Sequence, residues 1–150
     1  MTTTSPHYSA DEAIVRTPLS DTVALFARIL LTLPFLRSGF AKIFDFETTA
    51  GYMRAEGMPL VPLFLAGAIV LEIFGGLSVL AGYRARIGAL ALIVFLIPTT
   101  LIFHDFWTFT GQAAEMQRAS FLNNLGLLGG LALVAAFGSG MISVDAKTRE

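Results

Sequence analysis

Four long apolar stretches divide the chain, each bounded by clustered charge, proline or glycine. The first reads TVALFARILLTLPFLRSGFAKIF, residues 22–44, with Ser20 or Asp21 placed to cap its start and Asp45 and Glu47 closing it. The second runs from Leu60 to Ala81 and is interrupted only by Glu72, with Pro59 and Pro62 suited to a first helical turn. A tight turn at Gly82 leads to the third, Arg86 to Phe103, and the fourth extends from Ser120 to a GSG terminator after Phe137. These runs are apolar on all sides instead of along one stripe, which predicts helices surrounded by hydrocarbon. Runs of about 20 residues also match a hydrocarbon core roughly 30 Å thick.

The pattern therefore predicts an all-α protein, an integral membrane four-helix bundle spanning residues 21–145. A polar tail, residues 1–20, precedes it without the apolar segment of a signal peptide, and residues 146–150 form a second tail. Four spans put both termini on one side. That side carries Arg16, Arg84, Arg86, Lys147 and Arg149, against Lys42, Arg54 and Arg118 on the other, a bias that predicts cytoplasmic termini. Trp107, with Phe106 and Phe109, is then expected in an aromatic belt at the outer interface.

Composition sharpens this reading. Charged residues make up 14% of the chain, where soluble domains carry about 25%. The net charge of −1 leaves no electrostatic footprint for nucleic acid. The absence of cysteine removes thiolate, disulfide and iron–sulfur chemistry, and no metal site is expected.

The polar residues inside the spans carry the functional question. Glu72 shares a small-sided stripe with Ala68, Gly76 and Val79, and a carboxylate at that depth needs a partner. Counting depth from Asp21 and from Ala81 puts Arg28 roughly 10 Å and Glu72 roughly 14 Å into the membrane, so a buried Arg28–Glu72 ion pair is expected. Arg37 has three open readings: turned inward by a kink at Pro34, facing lipid, or facing a partner protein. A second group gathers at the outer end of the spans: Lys42, His104, Asp105, Trp107 and Asn124 combine donors, acceptors and an aromatic face in a candidate ligand or partner pocket. Each has a plainer role as well. His104 reads as an interfacial histidine, Asn124 as helix glue and Trp107 as an interface anchor.

RILLTLPFLRSGFAKI, LEIFGGLSVLAGYRAR, TLIFHDFW, FLNNLGLLGGLAL and GSGMISVD, in this order, resemble the successive helices and tail of the DoxX family. By position, the resemblance marks Arg28, Ser38, Gly39, Lys42, Glu72, His104, Asn124 and Asp145 as the family's characteristic polar residues. Asn123 departs from the pattern, since relatives commonly have lysine there. The resemblance implies a four-helix protein of the bacterial inner membrane. The function expected is an accessory subunit of a quinone-linked oxidoreductase without a metal or haem centre of its own, for which quinone is the candidate ligand. The alternative is a noncatalytic scaffold or assembly factor that binds another membrane protein. The expected partners are the bilayer and either a membrane protein or further copies of this chain. No residue is singled out as catalytic.

Overall fold

The computed structural model describes residues 18–148, which are helical with no strand among them. Helix α1 spans Pro18–Phe44 and α2 spans Phe46–Ala55. The second membrane-crossing rod is built from α3 (Val61–Val70), a π turn (Leu71–Gly75) and α4 (Gly76–Ala81). Helix α5 spans Ala85–Phe103, α6 spans Gly111–Phe137 and a short α7 covers Val144–Lys147. Four rods are long and apolar enough to cross a membrane: Pro18–Phe44, Val61–Ala81, Ala85–Thr108 and Gly111–Phe137. Of the tail read over residues 1–20, residues 1–17 lie outside the described residues and 18–20 belong to α1.

Three boundaries differ from the hydropathy pattern, each for a physical reason. Ser20 and Asp21 lie inside the first turn of α1 instead of capping it, and Asp21 Oδ1 accepts a hydrogen bond from the Met141 amide at 3.1 Å. Helix α6 begins at Gly111, well before Ser120, because QAAEMQR consists of good helix formers. Arg118 also pairs with Glu115 one turn back, at 3.1 Å. The connection after α1 is itself helical, and α2 packs Ala50 and Met53 against Val61 and Leu65 of α3. Hydropathy marks the part of a helix that lies in hydrocarbon, so polar extensions escape it.

The main core joins Phe35 of α1 to Val79 of α4, Ala89, Leu92 and Leu96 of α5, and Leu131 of α6. Lipid is as apolar as these side chains, so close packing holds the helices together here and removal from water contributes little. Glycine permits the closest approach. A Cβ on Gly39 would stand 2.8 Å from Ile73 and 3.2 Å from the Cβ of Glu72. The chain ends are tied at one end of the bundle: the Asp145 amide donates to the Gly82 carbonyl at 2.8 Å. The Asp145 carboxylate in turn accepts from the amides of Arg84 at 2.8 Å and Ala85 at 3.2 Å, at the start of α5.

Candidate functional site

Glu72 sits in the π turn, where one extra residue per turn changes the phase of the helix. It is buried to 4% exposure. Such turns often mark functional positions in helices. Its partner is Lys42, whose Nζ lies 2.9 Å from Oε2 and 3.0 Å from Oε1. The ammonium donates a hydrogen bond to Oε1, while its approach to Oε2 is an ion contact off the hydrogen-bonding direction. The ammonium also donates to the Ser38 hydroxyl one turn back on α1. Lysine, serine and glutamate thus form one compact cluster inside the bundle.

The expected Arg28–Glu72 pair is not formed. The depth count placed Asp21 level with Ala81, but α1 overshoots the end of α4 by about two turns. Close contacts give the true register: Gly39 lies against Glu72, Gly76 against Leu36, and Gly82 against Arg28. Arg28 is therefore level with the α4–α5 turn, far along α1 from the carboxylate. It is buried to 2% exposure and its Nη2 donates to the Ile142 carbonyl. Gly82 is required beside it: its φ is +68°, and a side chain there would collide with Arg28 Nη1 and Ser143. Helix α1 runs unbroken through Pro34, which leaves Arg37 exposed on the opposite side beside Leu33 and Phe40. The inward reading of Arg37 fails for that reason.

The residues of the second polar group hold separate positions. His104 Nδ1 is 2.8 Å from Gln117 Oε1, a contact between the end of α5 and the polar extension of α6. Asn124 Nδ2 donates to Thr100 Oγ1 at 3.0 Å, and Thr100 donates to the Leu96 carbonyl at 2.7 Å. Asp105 accepts from the Thr108 hydroxyl at 3.0 Å and so closes the short 3₁₀ turn. Trp107 is exposed and meets Phe106 and Phe121 edge-on, with centroids 5.2 Å and 6.1 Å away. Among the described residues no hydrogen bond joins any two of Lys42, His104, Asp105, Trp107 and Asn124.

Ser38, Gln117 and Tyr52 complete these contacts. Ser38 stood in the sequence only as a family position, and hydropathy gave no signal for the other two. Tyr52 lies tilted against Phe103 with centroids 5.4 Å apart, and its hydroxyl donates to the Phe103 carbonyl at 3.5 Å. Burial, followed by the nearby Glu56 and Asp105 carboxylates, holds its hydroxyl above the usual tyrosine pKa. Among the described residues no three His, Asp or Glu side chains converge as a metal would need.

The DoxX family model matches residues 23–105, and the SURF4 family model matches residues 66–150. Inner membrane protein YphA of Escherichia coli (strain K12) is 32% identical over 123 residues, covering 82% of this chain and 88% of YphA. Inner membrane protein YqjF of the same organism is 36% identical over 129 residues, covering 85% of this chain and 92% of YqjF. The ER-derived vesicles protein ERV29 of Saccharomyces cerevisiae is 26% identical over 111 residues, 69% of this chain but 36% of ERV29. No solved structure matches.

Proposed function

Because the chain belongs to the DoxX family and is a multi-pass protein of the inner membrane, we propose that it is an accessory subunit of a membrane oxidoreductase. In this reading it binds quinone while a partner subunit supplies the electrons. The observation that carries the reading is the Lys42–Glu72–Ser38 cluster. Ionisable side chains inside a span are costly to keep and mark functional sites by default. The Lys42 side chain is 22% exposed, which leaves part of the cluster open to a ligand. Glu72 is placed to exchange the proton that quinone and quinol chemistry requires. His104 and Asn124 contribute donors near the outer end of α5 and α6. Cysteine is absent from the chain, which supports placing the redox centre on a partner.

The test is the quinone content and partner recovery of protein purified from its native membrane. The paired variant Lys42→Met with Glu72→Leu keeps an apolar core, so it separates binding from folding. Loss of quinone with normal unfolding supports the reading, and full quinone retention by this variant sinks it. Asn124→Ala and His104→Ala test the outer donors in the same assay. The second reading, a noncatalytic scaffold for another membrane protein, is favoured by Arg37, a cation exposed on an otherwise apolar helix face. Recovery of a client that Arg37→Gln releases, with no quinone in the preparation, would establish it. In both readings the termini are cytoplasmic on the five-to-three cation bias. A reporter fused after Glu150 that works only in the periplasm would reverse that assignment.

A further inference from the structure

Between α1 and α6 runs a cleft of about 530 Å³ that opens sideways toward the bilayer. Its walls are apolar from Leu127 to Phe137 and it ends at Arg28, Gly138 and Ser139. Leu127 to Gly138 is about 16 Å of helix, the scale of most of an acyl chain. Gly130 sets its floor, since a Cβ there would stand 2.8 Å from Leu31.

The polar end carries two guanidinium groups that form no ion pair among the described residues. Arg28 has two buried nitrogens, Nε and Nη1, with no hydrogen-bond partner. Among the described residues no carboxylate lies within ion-pair distance of it. Asp145, whose charge Arg28 feels, already accepts from the Arg84 and Ala85 amides. Arg86 is exposed, forms no ion pair among the described residues, and places Nε 3.5 Å from where a Cβ on residue 138 would stand. Both guanidinium groups lie at the level of the Gly82 turn, where the spans end and lipid phosphates begin. A guanidinium is always charged and matches phosphate geometry.

We propose that this cleft binds one anionic phospholipid of the surrounding leaflet, with an acyl chain between α1 and α6 and the phosphate held by Arg86 and Arg28. The exposed Arg86 meets the phosphate, and Arg28, buried behind it, adds its charge. The site is independent of the quinone reading, which rests on the other end of α1.

Native mass spectrometry of the full chain reads this binding directly. The protein is purified in detergent and titrated with phosphatidylglycerol and with phosphatidylcholine of the same acyl chains. Phosphatidylglycerol should bind about tenfold more tightly, and Arg86→Gln should remove most of that preference. Leu133 lines the cleft and is 62% exposed, so Leu133→Trp fills the mouth from the lipid side. It should weaken both lipids about tenfold while leaving lipid-free thermal unfolding unchanged. Leu90→Trp, on the exposed side of α5 away from the cleft, should retain wild-type binding. Equal affinity for the two lipids, or wild-type binding by both cleft variants, overturns the proposal. So does full competition by inorganic phosphate, which would mean an anion site that takes no chain. Recovery of an isoprenoid quinone in place of lipid, unaffected by Arg86→Gln, overturns it as well.

Discussion

Lys42 and Arg28 lie fourteen residues apart along α1, yet Lys42 meets a carboxylate at 2.9 Å while Arg28 donates to a main-chain carbonyl. The difference follows from the two side chains. An ammonium is a compact point charge that a single carboxylate and a hydroxyl can satisfy. A guanidinium spreads its charge over five donors and can be anchored by a carbonyl, which satisfies a hydrogen bond without cancelling the charge. One end of the bundle is thus electrically closed within the protein. The other is closed mechanically, by the C-terminal segment, and its guanidinium forms no ion pair among the described residues.

Breaking the closed end should have the largest effect. Glu72→Gln leaves Lys42 inside the bundle without a counter-charge and should cost about 3–5 kcal/mol of stability in detergent. Lys42→Met combined with Glu72→Leu should recover much of that loss. A double-mutant cycle sharpens the contrast: Lys42 and Glu72 should couple strongly, whereas Arg28 and Glu72 should be additive within about 0.5 kcal/mol. Strong coupling in the second cycle would contradict the register described above.

The mechanically closed end should respond more gently. Asp145→Ala removes the cap on the Arg84 and Ala85 amides and should cost about 1–2 kcal/mol. It should also expose residues 139–148 to proteolysis, and continued protection of that segment would show that the carboxylate is not what fastens it. Asn124→Ala breaks one interhelical hydrogen bond and should cost about 0.6 kcal/mol, the usual value inside membranes.

The smallest effect concerns pH. The folded state holds the Tyr52 proton more tightly than the unfolded chain does, so the unfolded state binds fewer protons once pH exceeds about 10. The stability contribution is complete below that value and is lost as pH rises through the folded pKa. Tyr52→Phe should flatten the alkaline limb of the stability curve, and an unchanged limb would remove Tyr52 from the account.

The four spans were legible because hydrocarbon imposes a length and a composition on every helix that crosses it. One face of α1 is ordered by the same arithmetic: Arg28, Phe35, Gly39 and Lys42 share one stripe at 100° per residue, the first three are buried and Lys42 is partly so. The partner of Glu72 was not legible. Periodicity fixes which way a side chain faces but not how far one helix slides along another, and α1 slid by two turns. The π turn is equally silent in LEIFG, because it is an arrangement of backbone hydrogen bonds and not a preference of those residues. His104 and Asn124 were grouped by depth, and depth alone does not reveal that each turns to a different neighbour.

Arg28 and the carbonyl it holds are 114 residues apart in the chain. During synthesis the arginine enters the membrane with the first span, long before its acceptor is made. Synthesis of residue 142 is therefore a chemical event for the first span. A product ending a few residues before Ile142 would contain all four spans and leave that guanidinium without its carbonyl acceptor.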